Sequence, residues 1–406
     1  MDFERAYDVV VAGAGVAGVA AALECARAGL RTALIEKTVL IGGLATTGLV
    51  NFYLPLCDGL GHQVIYGIAE ELLHLSIKYG PGDVPEGWRH GTPTGPDHGR
   101  GWRFSTPFSP ASFVLALDEA LVDAGVRIWL DTLVCAPVME GRELVGLEVE
   151  NKSGRGRLLA ATVIDATGDA DVAYRAGAAC VEADNWLSLW ALQTSLARAR
   201  AAAADPGGAS LLDGVRLGGS ATGEGHPEGE PKRHGTDGAQ VSAFVLEGRR
   251  LMRDHYRMRQ AAGEETNRRH LFPITPPAMA QFRTTRRIEG IETVRADDAD
   301  VSLPTAVGVV PDWRRPGPVW EIPYGAIVPQ GVQRLLVVGR CISADREAWE
   351  VTRVIPPAAL AGQVAGVVTT LALRGDRLPA DVPVHDIQAA LLSKGMPVHR
   401  SDIMTF

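Results

Sequence analysis

Gly13, Gly15 and Gly18, with Glu36 beyond them, are the residues whose types and spacing point most directly to chemistry. In the run Gly13-Ala14-Gly15-Val16-Ala17-Gly18, the first glycine permits a tight turn. The second admits a pyrophosphate close to the backbone, and the third lets a helix pack on the strand before it. Val16 and Ala17 open that helix, whose unpaired amides face the anion. Glu36 stands roughly 20 residues past Gly13, where an acid binds both hydroxyls of an adenosine ribose, and Lys37 follows it. A glycine turn alone is a weak signal; here strand, glycines, helix, strand and acid fall in order.

Other residues could act on a small molecule. Arg283, Arg286 and Arg287 stand beside threonines and Gly290, a pattern that suits either a forked anion clamp or a surface ion-pair network. Tyr324 could serve as acid or base, although a buried tyrosine more often bonds its hydroxyl structurally. Arg103, Arg286, Tyr324 and Arg346 are the side chains expected to reach a polar or anionic small-molecule substrate. His90, Asp97 and His98 share one loop but match no ligand spacing, so no metal site is expected. Cys25, Cys57, Cys135, Cys180 and Cys341 are scattered without a CxxC, which predicts reduced, mostly buried thiols.

The elements that must position these groups follow from the apolar pattern. Val9 to Ala12 reads as a buried parallel strand, Val16 to Ala28 as a helix ended by Gly29, and Thr32 to Ile35 as a second strand. The small-residue run Gly42-Gly43-Leu44-Ala45-Thr46-Thr47-Gly48 lets backbone lie against a flat ring system. A helix is expected from Gly67 to Tyr79, a long loop over residues 80–108 facing a site, and a helix from Pro110 to Ala124. Val126 to Leu130 predicts a strand, and Thr132 to Pro137 with Leu144 to Glu150 a small antiparallel unit. Ala166-Thr167-Gly168-Asp169 ends another strand and allows a second close approach to a nucleotide. Residues 197–235 suggest an irregular insertion and Glu247 to Gln260 a basic helix. Leu335 to Arg340 returns to a buried strand, and the helix Ala358 to Leu373 follows Pro356 and Pro357.

At 406 residues, with 46% hydrophobic and 22% charged residues, the chain suits two domains of an α/β protein. Residues 1–50, 108–180 and 321–378 are expected to form a discontinuous nucleotide-binding domain. Residues 51–107 and 181–320 would form an α+β substrate or cap domain, and 379–406 a C-terminal tail. The net charge of -8 argues against a general nucleic-acid binder. No signal-peptide pattern and no apolar run of membrane-spanning length are read, so a cytoplasmic protein without a membrane partner is expected, and a homo-oligomer stays open.

The chain resembles the FAD-dependent oxidoreductases of the glutathione-reductase-like, two-dinucleotide-fold superfamily. The closest likeness is to the family sharing Arg286-Arg287-Ile288-Glu289-Gly290, Ile322-Pro323-Tyr324 and Val338-Gly339-Arg340-Cys341-Ile342-Ser343. The resemblance implies a Rossmann-like FAD-binding domain with a parallel central sheet and bound FAD. Gly13, Gly15 and Gly18 would lie at its pyrophosphate and Glu36 at its ribose. Gly42 to Ala45 would run along the flavin, and Gly339 and Arg340 near the ribityl chain or phosphates. A backbone amide and carbonyl near Val134 would meet adenine. The helix opening at Pro356 or Pro357 is expected to point at flavin N1 and the C2 carbonyl, where its dipole would stabilise the negative charge of the reduced ring. One convincing dinucleotide turn exists, and no CxxC accompanies it, which disfavours a disulfide mechanism. The implied activity is hydride transfer between flavin N5 and a small organic substrate; the alternative is a flavin-bearing electron-transfer or assembly subunit that acts with a protein partner.

Overall fold

Val9, Val10, Val11 and Ala12 are fully buried at the end of the strand Phe3–Ala12, which lies inside a seven-stranded sheet. A computed structural model describes residues 3–90, 102–205 and 211–405 of the chain. Phe3–Ala12 pairs in parallel with Thr32–Ile35 on one side and Gly154–Asp165 on the other, and Arg127–Trp129 extends the sheet beyond Thr32–Ile35. The long strand Gly154–Asp165 has two further neighbours. Its end pairs in parallel with Leu335–Val337, while its start pairs antiparallel with Glu143–Asn151, which carries Leu133–Glu140 at the edge. This is a mainly parallel, Rossmann-like α/β sheet, and its far C-terminal strand completes the core begun at residue 3.

Small residues let two helices cross closely over this sheet. A Cβ added at Gly362 would lie 2.1 Å from the Ala17 carbonyl oxygen, and one at Gly366 would lie 2.6 Å from the Glu24 Cβ. The helix Ile355–Arg374 can therefore bury nearly all its length against Val16–Arg27. It corrects one expectation: its 20 residues are long and apolar enough to cross a membrane, but 94% of that window is buried inside the protein. Core packing accounts for its composition.

The chain divides into two compact units, residues 1–43, 52–181 and 286–406, and residues 44–51 with 182–285. Residues 52–107 and 286–320, expected with the cap, instead belong to the first unit. Ile68–Ile77 packs on Pro110–Asp123 and Ile355–Arg374, and the hairpin Ala306–Pro311 with Val319–Pro323 rests on Ile355–Arg374. The expected tail is also structured there, because Ile387 and Leu391 of the helix Val384–Ser393 are fully buried.

In the second unit Ser188–Ser195 is flanked by Asp213–Gly218 and Leu271–Thr275, both antiparallel. The expected irregular stretch is thus partly regular. Ser195 accepts from the Arg198 amide at 3.1 Å and so starts the helix Leu196–Ala204, while Asp213–Gly218 finds a sheet edge. The basic helix is longer than its pattern, Gly238–Ala261, since Asp237 caps it by accepting from Gln240 N at 2.8 Å.

Candidate functional site

The three glycines differ in what surrounds them. At Gly13 φ is +98°, and a Cβ would lie 2.6 Å from the Ala166 carbonyl oxygen, so turn and packing both demand glycine. At Gly18 a Cβ would lie 1.9 Å from the Gly13 oxygen, which makes glycine the condition for the helix to start against the strand. At Gly15, with φ -66° and ψ 173°, a Cβ would meet nothing within 4 Å. Neither conformation nor protein packing requires glycine there. A pyrophosphate at the start of Val16–Arg27 would require it, because its approach to the backbone needs the space a side chain would fill.

Around that open face the sequence-predicted residues gather. Gly42 N donates to Ala14 O at 2.8 Å, and Gly15 and Gly42 form a parallel bridge. Gly43, at φ +58°, packs so closely that a Cβ would lie 3.0 Å from Gly15 Cα. Leu44, Ala45 and Thr46 follow directly and belong to the second unit. Glu36 is buried, with one carboxylate oxygen accepting from Ala14 N at 3.1 Å and the other from Thr38 N at 2.9 Å and Thr38 Oγ1 at 3.0 Å. These bonds fix its orientation and fill both acceptor positions of the oxygen that meets Thr38, leaving a position on the oxygen that meets Ala14 N, where a ribose hydroxyl could donate. Lys37 beside it is exposed.

The second turn, Ala166-Thr167-Gly168, is built differently. Fully buried Asp165 accepts from Thr167 N at 3.0 Å, Thr167 Oγ1 at 2.7 Å and Ala173 N at 2.9 Å. Burial pushes its carboxyl above the ordinary range in spite of those donors. Arg340 donates through Nε to Gly168 O at 2.6 Å and through Nη2 to Asp169 at 2.5 Å. Gly339, at φ +85°, makes the bend that turns Arg340 out of the last strand. Val134 lies at the start of its edge strand, and its carbonyl accepts from Arg175 at 3.1 Å. Pro356 and Pro357 lie in the first turn of Ile355–Arg374; having no N–H, they leave Ile355 as the amide donor among the first three helical residues.

The four candidate catalytic side chains are not brought together, and each has a structural contact. Tyr324 is buried and its hydroxyl donates to Pro379 O, while desolvation raises its pKa well above the ordinary value, so it is held as a neutral donor. Arg103 donates to the carbonyls of Asp312, Trp313 and Arg315, closing the tip of a hairpin. Arg346 is exposed and pairs with Asp297 at 2.9 Å. Buried Arg286 sits 3.3 Å from Asp171, donates to Asp169 O at 3.4 Å and lies 3.8 Å over the Tyr174 ring. It therefore flanks the same turn as Arg340. Asp97 and His98 lie outside the described residues. Sequence reasoning missed Thr38, Asp165 and Asp171; the available signal was Asp165 itself, an acid closing an apolar strand, which burial obliges to find donors.

All five cysteines are free, and burial pushes the thiols of Cys25 and Cys341 up and that of Cys57 to about 12. These three are poor thiolates.

A family profile described as FAD dependent oxidoreductase matches residues 8–191 and 222–391. A thioredoxin reductase of Ureaplasma parvum serovar 3 is 36% identical over 74 residues, 18% of this chain and 24% of that protein. One from Bacillus subtilis strain 168 is 35% identical over 86 residues, 21% of this chain and 27% of that protein. The likeness thus spans about a quarter of each relative's length. A geranylgeranyl bacteriochlorophyll reductase-like structure from Thermoplasma acidophilum shares the fold at TM-score 0.50, with 15% identity over 97% of this chain and 85% of that one.

Proposed function

This chain belongs to the FAD dependent oxidoreductase family, and we propose that within it the enzyme exchanges a hydride directly with a small, polar or anionic organic substrate. Bound FAD would supply the redox chemistry, as the hydride acceptor or donor. The observation that carries the direct route is the cysteine distribution. A relay to a protein disulfide needs paired, accessible thiols beside the flavin, whereas here the cysteines are free, scattered and, at Cys25, Cys57 and Cys341, buried with raised pKa values.

The chain's own residues would hold the cofactor as follows. Gly15 and the amides of Val16 and Ala17 would take the pyrophosphate, and Glu36, fixed by Thr38 and Ala14, the adenosine ribose. Gly168, Gly339 and Arg340 would line the second turn, with Gly42 to Thr46 along the flavin. The Ile355 amide and the dipole of its long helix would favour negative charge on a flavin pyrimidine held at that helix end. Anaerobic mixing of the purified flavoprotein with alcohols, sugars, amines and reduced nicotinamides tests the reading: one small organic class should bleach the flavin. Bleaching only in the presence of a protein partner would overturn it in favour of an electron-transfer subunit.

A further inference from the structure

Gln281, in the second unit, is 6% exposed, and both ends of its side-chain amide are engaged. Its Oε1 accepts from Trp190 N at 2.7 Å, and its Nε2 donates to Trp190 O at 2.9 Å and to Gly48 O. The neighbouring strand Leu271–Thr275 pairs with Ser188–Ser195 only from Leu192 onward. At Trp190 the glutamine side chain therefore stands in for a missing strand and ties that edge to the loop at Gly48. Three residues earlier, Ala278 N donates to Thr47 O at 2.9 Å, a second tie to the same loop.

The two things joined are not ordinary surface. The Leu44–Asn51 loop is continuous with Gly43, which abuts Gly15 in the cofactor turn. Trp190 pairs in register with Arg216, whose guanidinium lies 4.0 Å over the indole ring. The alternating residues Leu189, Ala191 and Val215 pack with Met252 of the Gly238–Ala261 helix, so Trp190 and Arg216 project to the opposite face of the sheet.

We propose that Gln281 is a positioning residue for the redox reaction: from within the second unit it fixes the Leu44–Asn51 loop, which continues from the cofactor turn, to the strand edge at Trp190, and so sets the conformation of that loop. The proposal rests on the FAD reading and on the loop lying along the flavin. The test uses the purified holoenzyme and two substitutions. Gln281→Met removes all three bonds at similar volume; Gln281→Glu keeps the acceptor for Trp190 N but turns an oxygen toward the Trp190 and Gly48 carbonyls. Either folded variant should retain full FAD stoichiometry while its flavin absorption and midpoint potential shift. The rate of flavin reduction at saturating substrate should fall on the order of 10–100-fold, more than KM changes. An unchanged potential and an unchanged rate in a folded, FAD-loaded variant would overturn the proposal and leave Gln281 a structural tie. If Gln281→Met does not fold, the isosteric Gln281→Glu decides it. If no small organic compound reduces even the unsubstituted enzyme, the proposed substrate class fails, and the potential measured against reference dyes still decides Gln281.

Discussion

Two adjacent turns at the carboxyl edge of the parallel sheet solve the same problem by different means. Phe3–Ala12 and Gly154–Asp165 run in register, Ala12 opposite Asp165, and each strand ends in small residues that leave its backbone open to close approach. The Gly13–Gly18 turn is shaped by what its residues lack: at Gly13 and Gly18 a Cβ would meet backbone, and at Gly15 it would meet open space. The Ala166–Asp171 turn is shaped by what surrounds it. Asp165 holds it from beneath through three hydrogen bonds, and Arg340 and Arg286 hold it from segments distant in sequence. A turn written in glycines is fixed locally; a turn written in side-chain bonds depends on the rest of the fold.

The largest expected effect tests the first half of that contrast. Gly18→Ala places a methyl 1.9 Å from the Gly13 oxygen, a backbone atom that cannot step aside, and should cost more than about 4 kcal/mol. Thermal unfolding should show a protein that is unfolded or nearly so. A variant within a few degrees of the parent would mean the strand-to-helix contact is loose.

The second turn should yield more gradually. Arg340→Met removes the donors to Gly168 O and Asp169 and leaves that carboxylate with one partner fewer, a loss of about 1.5–3 kcal/mol for the charged bonds. Arg340→Lys should recover little of it, because a single ammonium lacks the fork that meets both acceptors. Full recovery in Lys would show that charge, not geometry, shapes the turn.

The contrast also explains what could be read in advance. Gly13, Gly15, Gly18 and Glu36 follow one another within a single strand–helix–strand unit, so their spacing alone implies their neighbours. Arg340 and Gly168 are 172 residues apart, and no local pattern links them. Arg286 shows the consequence. Its local company of arginines and threonines suggests a substrate clamp, yet the fold brings it to Asp171, 115 positions earlier. Tyr324 and Arg103 likewise donate to backbone carbonyls far away in sequence, at Pro379 and Asp312, which only the folded chain supplies. The parallel core of the sheet was legible because buried parallel strands such as Val9 to Ala12 are apolar throughout. The extent of the second unit was less so, because contacts with Ile355–Arg374 hold Ile68–Ile77 and Ala306–Pro311 in the first unit.

A smaller effect concerns pH. Burial raises the Asp165 pKa, so the folded chain holds its proton to higher pH than the unfolded chain, whose carboxyl titrates near about 3.9. Between those two values the folded state binds more protons, and stability falls as pH rises through the folded value. Asp165→Asn should flatten that slope while costing about 1–3 kcal/mol, since its amide cannot satisfy Ala173 N as the carboxylate does. Denaturant midpoints across a pH series check this; an unchanged slope would assign the pH dependence to other groups.

The central claim is that glycine at position 15 serves the cofactor and nothing else, and Gly15→Val tests it most directly. The backbone there is extended, a Cβ meets no protein atom within 4 Å, and valine adopts such a conformation without strain. The variant should be purified folded, with an apo-protein melting temperature within about 3 °C of the parent apo-protein, but colourless and releasing no FAD on denaturation. A yellow variant with full FAD content would contradict the account, because the pyrophosphate would then have to lie elsewhere.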